Sequence, residues 1–311
     1  MLSRLKGPAV LRAYQFGEIV SRRVPKAVAD RALAFTAHAA AARGGDKRIV
    51  IERNLERIYG RKMTRNELDL KVRATYESYA RYYYDSFRLP AMSVDEVADG
   101  FTVEGLEYLL DALDNDEVGP ILALPHLGGW EWAAFWISAV RGWKIAAVAE
   151  RLEPPELFDW FLKFRTSIGL NIIPLGPDAA NDVVTAMLDK EIVCLLCDRD
   201  LVGSGPKVEF FGETTSLPAG PAVMALKGGA RVLPVGVYFT DSGVHAVVRP
   251  PVEIERDPDA TTMRGDVQRF TQKLAGELEH LIRLAPEQWH LLQPNWPSDF
   301  ELLGRTPPEL V

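Results

Sequence analysis

Ile121-Leu122-Ala123-Leu124-Pro125-His126-Leu127-Gly128-Gly129-Trp130-Glu131 is the stretch on which the reading of this chain turns. Ile121 to Leu124 is apolar without alternation, the pattern of a strand buried on both faces. Pro125 stops it. The Gly128-Gly129 pair permits a sharp turn before an apolar, helix-like run from Trp130 to Val140. His126 and Glu131 are five residues apart, and on one continuous helix that spacing would set them about 140° apart around the axis. A strand end and a glycine turn between them allow the chain to fold back and bring carboxylate to imidazole. The expectation is a general base, His126, with Glu131 orienting it at the carboxyl end of a strand, where α/β folds place their sites. The spacing alone is common by chance in a chain with 43 acidic residues and five histidines. The strand, Pro-His, Gly-Gly, helix frame around it is much rarer. A simpler role for the same residues is a histidine capping the helix, with Glu131 favouring its N-terminus by charge.

Working outward, 311 residues can bury a large core, and 47% apolar with 25% charged residues is ordinary for a globular protein. The charge is uneven. Residues 1–48 hold ten Lys and Arg against three acids, whereas the whole chain carries −7. A basic amphipathic arm on an acidic body does not suit nucleic-acid binding across the molecule. It suits an anionic lipid surface, or else a solvated basic face packed on the acidic body. No run reaches the roughly 18 apolar residues needed to cross a bilayer. The best candidate, Ala32 to Ala42, is too short, and no long apolar core follows Arg4 and Lys6 as a leader would require. The expected location is therefore the cytoplasmic face of the inner membrane, held peripherally.

The first ninety residues read as helices over 9–22, 26–43, 46–59 and 64–88, divided at Pro25 and Gly44-Gly45. Thr64 and Glu67 have capping-box spacing. Tyr76, Tyr79, Tyr82, Tyr83 and Tyr84, with Phe87 beyond, crowd the fourth helix, either as core or as the wall of a tunnel for a long apolar ligand. From residue 101 strand and helix alternate. Strand-like runs are Phe101–Val103, Ile121–Leu124, Ile145–Ala149, Ile172–Ile173, Ile192–Cys197, Val232–Phe239 and Val244–Val248. This rhythm predicts an α/β fold with a mostly parallel central sheet covered by helices on both faces. The organisation expected is an N-terminal helical region over 1–90 and an α/β core over 91–311. Cys194 and Cys197 fall three apart in a strand, so they point to opposite faces and cannot share a metal or a disulfide.

Charges that follow strand-like runs should gather near His126. These are Glu150 and Arg151, and the cluster Asp198-Arg199-Asp200. The loop 208–216 should gather there too, and Arg165, on the helix after the 145–149 run, could reach the same mouth. Such charges also pair with one another on a rim. Gly203-Ser204-Gly205-Pro206-Lys207 lacks the spacing of a phosphate-binding loop, and there is no Gly-x-Ser-x-Gly elbow. The histidines lack ligand-like spacing, so no metal is expected.

Several of these features occur together in order: His126-x4-Glu131 after Leu-Pro; Asp198-Arg199-Asp200 before a glycine-rich loop; Phe210-Phe211-Gly212-Glu213; Leu217-Pro218-Ala219-Gly220-Pro221-Ala222; and Pro286-Glu287-Gln288-Trp289. As a set they resemble the bacterial lysophospholipid acyltransferase superfamily, in the branch of the lipid A late acyltransferases. Within that branch the chain looks most like the actinobacterial phosphatidylinositol mannoside acyltransferases. The resemblance implies transfer of a fatty acyl group, palmitoyl, from acyl-CoA as co-substrate to a mannose hydroxyl of a phosphatidylinositol mannoside. It implies no other cofactor and no acyl-enzyme, with His126 as general base and Glu131 as its orienting carboxylate. Glu150, Arg151, Arg165, Asp198, Arg199 and Asp200 would bind substrate, Arg151 and Arg165 at the acceptor's polar head. A lipid A-type enzyme using acyl carrier protein, or a non-catalytic lipid-binding protein of the same fold, are the alternatives.

Overall fold

A computed structural model describes residues 2–24, 26–201, 203–253, 256–259 and 261–307. Four helices open the chain: α1 (Leu2–Arg23), α2 (Lys26–Arg43), α3 (Asp46–Tyr59) and α4 (Arg65–Arg88). Pro25, the expected divider of the first two, lies outside the described residues. Thr64 and Glu67 close the start of α4 as a reciprocal capping box, each side chain meeting the other residue's backbone N–H. A short helix, α5 (Val94–Asp99), leads into the alternating part of the chain.

That part runs β1 (Phe101–Glu104), α6 (Leu106–Asn115), β2 (Ile121–Leu124), α7 (Trp130–Phe135), β3 (Ile145–Ala149), α8 (Pro155–Ser167), β4 (Leu170–Pro174), α9 (Ala179–Leu188) and β5 (Ile192–Leu196). After a hairpin of β6 (Lys207–Phe210) and β7 (Glu213–Ser216) come α10 (Gly220–Gly228), β8 (Val232–Phe239), β9 (Val244–Val248), α11 (Arg264–Leu284) and α12 (Pro297–Leu302). Seven strands form one sheet in the order β1-β9-β8-β2-β5-β3-β4. All pairs are parallel except β8 with β9, which a four-residue connection folds back as neighbours. The mostly parallel sheet read from the alternation is therefore present.

Both faces of the sheet are covered, which is why β2 reads as an unbroken apolar run. Ile121 and Ala123 join the core built with α9, α10 and α11. Leu122 and Leu124 join the other, built with α5, α6 and α7. The cysteines divide in the same way: Cys197 lies in the first core and Cys194 in the second, and both are free thiols. Burial pushes both thiols up, Cys194 to about 12. The segment 208–216, expected as a loop, is instead the β6–β7 hairpin, whose two-residue turn is Phe211 and Gly212.

Candidate active site

The site forms where β2 and β5 end. The two strands are parallel neighbours, with Leu124 opposite Leu196. His126 and Asp198 each lie two residues further on, so equal advance along paired strands brings them side by side. The ladder continues beyond the strands, with the Cys197 N–H donating to the Leu124 carbonyl at 2.8 Å. His126 Nδ1 then meets Asp198 Oδ1 at 2.6 Å. Asp198 Oδ2 accepts the His126 backbone N–H at 2.9 Å and the Trp289 indole N–H at 2.6 Å. The carboxylate is fully buried, while the His126 side chain keeps 32% of its exposure.

Burial works to raise Asp198, but the facing imidazole and three N–H donors outweigh it and hold the carboxyl below the usual carboxylate range. An ionised Asp198 can only accept, so Nδ1 of a neutral His126 carries the hydrogen and Nε2 is left bare to take a proton. Such a pairing is open to general-base chemistry, and it places Asp198, not the expected Glu131, against the His126 ring.

Glu131 is drawn elsewhere by the turn that precedes it. Gly128 has φ +55°, and its Cα lies so close to the carbonyl of Val237 that a Cβ there would fall 2.1 Å from the oxygen. The chain then leaves the carboxyl end of central strand β2 and starts α7, whose Glu131 faces α4 and α8. Its carboxylate accepts from the Tyr82 hydroxyl at 2.6 Å, Arg165 Nη2 at 3.1 Å and the Ser86 hydroxyl at 3.5 Å, and the residue is 1% exposed. Burial and the adjacent carboxylate push the Tyr82 phenol well above its ordinary range. Burial opposes the charge of Arg165, yet the Glu131 carboxylate holds its pKa above the usual value. The Arg165 guanidinium also lies over the Trp130 and Phe161 rings.

The remaining expected residues separate. Arg199 donates to Glu150 at 3.0 Å, joining the ends of β3 and β5 as predicted for charges at strand ends. Arg151 lies over the Phe158 ring. Asp200 accepts the backbone N–H groups of Gly203 and Gly205 at 3.0 and 2.7 Å, so it shapes the loop that follows. Asp198 was expected among substrate-binding groups; its carboxylate is instead taken up by His126 and Trp289.

Two further residues complete the site, and sequence reasoning assigned a role to neither. Trp289 belongs to a stretch noted only for resemblance. His290 is buried, its backbone N–H donates to the His126 carbonyl at 2.7 Å, and its Nε2 lies 2.8 Å from the Ser78 hydroxyl. Burial, then the neighbouring His126, push His290 down to about 3, so it is neutral at physiological pH. Tyr79 and Tyr82 of α4 pack on its ring, which gives the tyrosine stripe two duties: core, and a lid on this second imidazole. Among the described residues no group of three or more His, Cys, Asp or Glu is arranged to hold a metal ion.

Residues 9–298 match the family model described as bacterial lipid A biosynthesis acyltransferase. A phosphatidylinositol mannoside acyltransferase of Mycolicibacterium smegmatis is 37% identical over 298 residues, covering 95% of this chain and 94% of that protein. One of Mycobacterium tuberculosis is 35% identical over 292 residues, covering 92% of this chain and 88% of that protein. A match this long, spanning the helices before the sheet as well as His126, Asp198 and Trp289, means that the chain belongs to the bacterial lipid A biosynthesis acyltransferase family.

Proposed function

We propose that this acyltransferase moves palmitoyl from coenzyme A to a mannose hydroxyl of a phosphatidylinositol mannoside, with His126 as general base and Asp198 as its orienting carboxylate. The observation that carries the mechanism is the 2.6 Å contact from His126 Nδ1 to a buried Asp198, which commits the other ring nitrogen to accepting a proton. A sugar hydroxyl is a weak nucleophile at neutral pH. As its oxygen attacks the thioester carbonyl, Nε2 takes its proton; the C–S bond breaks and the proton passes to the leaving thiolate. The acyl group goes directly from sulfur to oxygen, with no acyl-enzyme. Asp198 fixes the tautomer beforehand and stabilises the imidazolium as it forms.

The acceptor reading is supported by the relatives, which are named for phosphatidylinositol mannoside. The core beside the site holds a wholly apolar cavity of only about 30 Å³, too small for an acyl chain unless its lining side chains part. Leu122 and Leu124 of β2, Trp130 and Ala134 of α7, and Val237 of β8 line it, and Leu124 is two residues from His126. The proposed seat of the enzyme is the cytoplasmic face of the inner membrane, reached through α1 and α2. Their exposed Phe16, Ile19, Val28 and Phe35 lie among exposed arginines such as Arg12, Arg23 and Arg31, and no helix among the described residues is long and apolar enough to cross a membrane.

The test is product analysis by mass spectrometry, with palmitoyl-CoA or palmitoyl-acyl carrier protein as donor against a panel of acceptors. The expected product is an acylated mannoside formed from the coenzyme A thioester. Transfer from the carrier protein alone, or to a lipid A precursor alone, would replace the donor or acceptor assignment. Thioester binding without release of either thiol would replace the enzyme with a lipid-binding protein.

A further inference from the structure

Asp198 can serve His126 only while its carboxylate plane keeps one orientation, and among the described residues no N–H of its own loop bonds that carboxylate. One oxygen, Oδ1, faces the ring; the other, Oδ2, is held by the His126 backbone N–H and by the Trp289 indole, at 2.9 and 2.6 Å. We propose that Trp289 is a positioning residue of the acyl transfer, whose indole N–H locks the Asp198 carboxylate so that His126 works as a base. This inference rests on the assignment of His126 as that base.

The geometry makes Trp289 a rigid donor. Residues 288–290 run antiparallel beside residues 126–128, with Leu127 and Trp289 as a bridge pair. The Gly128 N–H donates to the Gln288 carbonyl at 3.0 Å, and the His290 N–H donates to the His126 carbonyl at 2.7 Å. The Gln288 side chain is itself pinned, accepting the Phe239 N–H at 2.7 Å and donating to the Phe239 carbonyl at 3.1 Å. The indole is 3% exposed and is wedged against Phe210, Phe211 and Trp296, with ring centroids 6.1, 5.8 and 6.3 Å away. One segment therefore fixes the backbone of the base and the carboxylate behind it.

The chemistry gives a sign. An N–H donor stabilises the deprotonated, net-anionic state of the His126–Asp198 pair more than the state that has taken a proton. Removing the donor raises the proton affinity of the pair, so protonation sets in at higher pH. Other titratable groups around the pair are His290, held neutral; Cys197 at the end of β5, a thiol that burial pushes up; and, beyond His290, Tyr79 and the Tyr82–Glu131–Arg165 group. None of these bonds to the Trp289 nitrogen, and all remain in place when only that N–H is removed.

The test compares the wild type with Trp289→Phe and with a variant carrying 3-benzothienylalanine at 289, which keeps the bicyclic shape and lacks the N–H. The His126 ring is titrated by long-range proton–nitrogen NMR on the full chain without substrate. The expected result is a titration midpoint raised by about half a pH unit or more, with a matching shift in the acid limb of turnover from palmitoyl-CoA and a roughly tenfold fall in kcat. A folded benzothienyl variant with an unmoved His126 midpoint would overturn the proposal, whatever its kcat, because packing alone would then explain the residue. Should Trp289→Phe fail to fold, the isosteric variant decides alone. The titration needs no acceptor or donor, so it stands apart from the base assignment, which fails instead if folded His126→Ala keeps wild-type turnover.

Discussion

At the scale of single residues, the carboxylates of Asp198 and Glu131 predict different losses. His126→Ala removes the proposed base, and turnover should fall by roughly 10²–10⁴-fold with the fold intact. Asp198→Asn puts an amide where three N–H groups converge, so one donor must meet another, or the ring must turn to the wrong tautomer. A loss of similar size is expected, and the double variant should be little worse than His126→Ala alone, since the residues act as a unit. Glu131→Gln leaves the partly buried Arg165 without its charge partner. Breaking a buried pair in this way costs about 3–5 kcal/mol, so the first effect should be a lower unfolding midpoint in urea. Wild-type stability with wild-type turnover in Glu131→Gln would show that the pair does neither job. His290 adds a pH signature. Its folded pKa of about 3 lies below the unfolded value near 6.5, so between these the unfolded chain binds the extra proton. Its contribution to stability is full above about pH 6.5 and is lost as pH falls toward 3. Urea midpoints measured from pH 7.5 to 4.5 should therefore fall less steeply for His290→Asn than for wild type, and parallel curves would remove this assignment.

At the scale of elements, most helices and strands are legible because they obey a period, and the exceptions have physical causes. The 130–140 run was read as one helix. It is α7 continued by a π-helical turn over Trp136–Val140, and such bulges have no periodic signal in sequence. The β6–β7 hairpin was missed because its turn residues are Phe211 and Gly212, at φ +52° and +74°. Asn-Gly or Asp-Gly would have announced such a turn, whereas a phenylalanine with positive φ contradicts local preference. Tertiary packing overrides that preference: the Phe211 ring is buried against Phe210 and Trp289, with the Arg283 guanidinium above it. The turn after β2 was legible, and it carries its own prediction. Gly128→Ala places a methyl 2.1 Å from the Val237 carbonyl oxygen at a φ that only glycine adopts freely. The backbone around His126 must shift, so a stability loss of about 1–3 kcal/mol should accompany a fall in kcat larger than any change in KM. A Gly128→Ala protein with unchanged melting and turnover would mean that this close approach has no function.

At the scale of the whole molecule, the α/β order of the chain and the place of His126 could be read in advance, but the partner of His126 could not. Local spacing favoured an acid five residues away; the structure uses one 72 residues away, because β5 enters the sheet beside β2 only after β3 and β4 have been laid down beyond it. That choice is made by strand order, which no window of sequence contains, although the position of Asp198 two residues past a strand end was the usable hint. The same scale governs where the enzyme works. Ten basic residues fall in positions 1–48, yet they are not equivalent: Arg48 is buried and paired with Glu52 and Asp69, and Arg22 pairs with Glu18. The arginines that remain exposed on α1 and α2 accompany Phe16, which is 68% exposed, and Phe35, which is 76% exposed. Each basic side chain near an anionic surface contributes about 1 kcal/mol, and the two aromatic rings add apolar burial that salt does not screen. Sedimentation with anionic vesicles should therefore weaken as salt rises but not vanish. Phe16→Ser with Phe35→Ser should remove the salt-resistant part, and Arg12→Glu with Arg31→Glu the salt-sensitive part. Equal binding to neutral and anionic vesicles at low salt would exclude the electrostatic share of this docking, and binding untouched by the aromatic pair would exclude the apolar share.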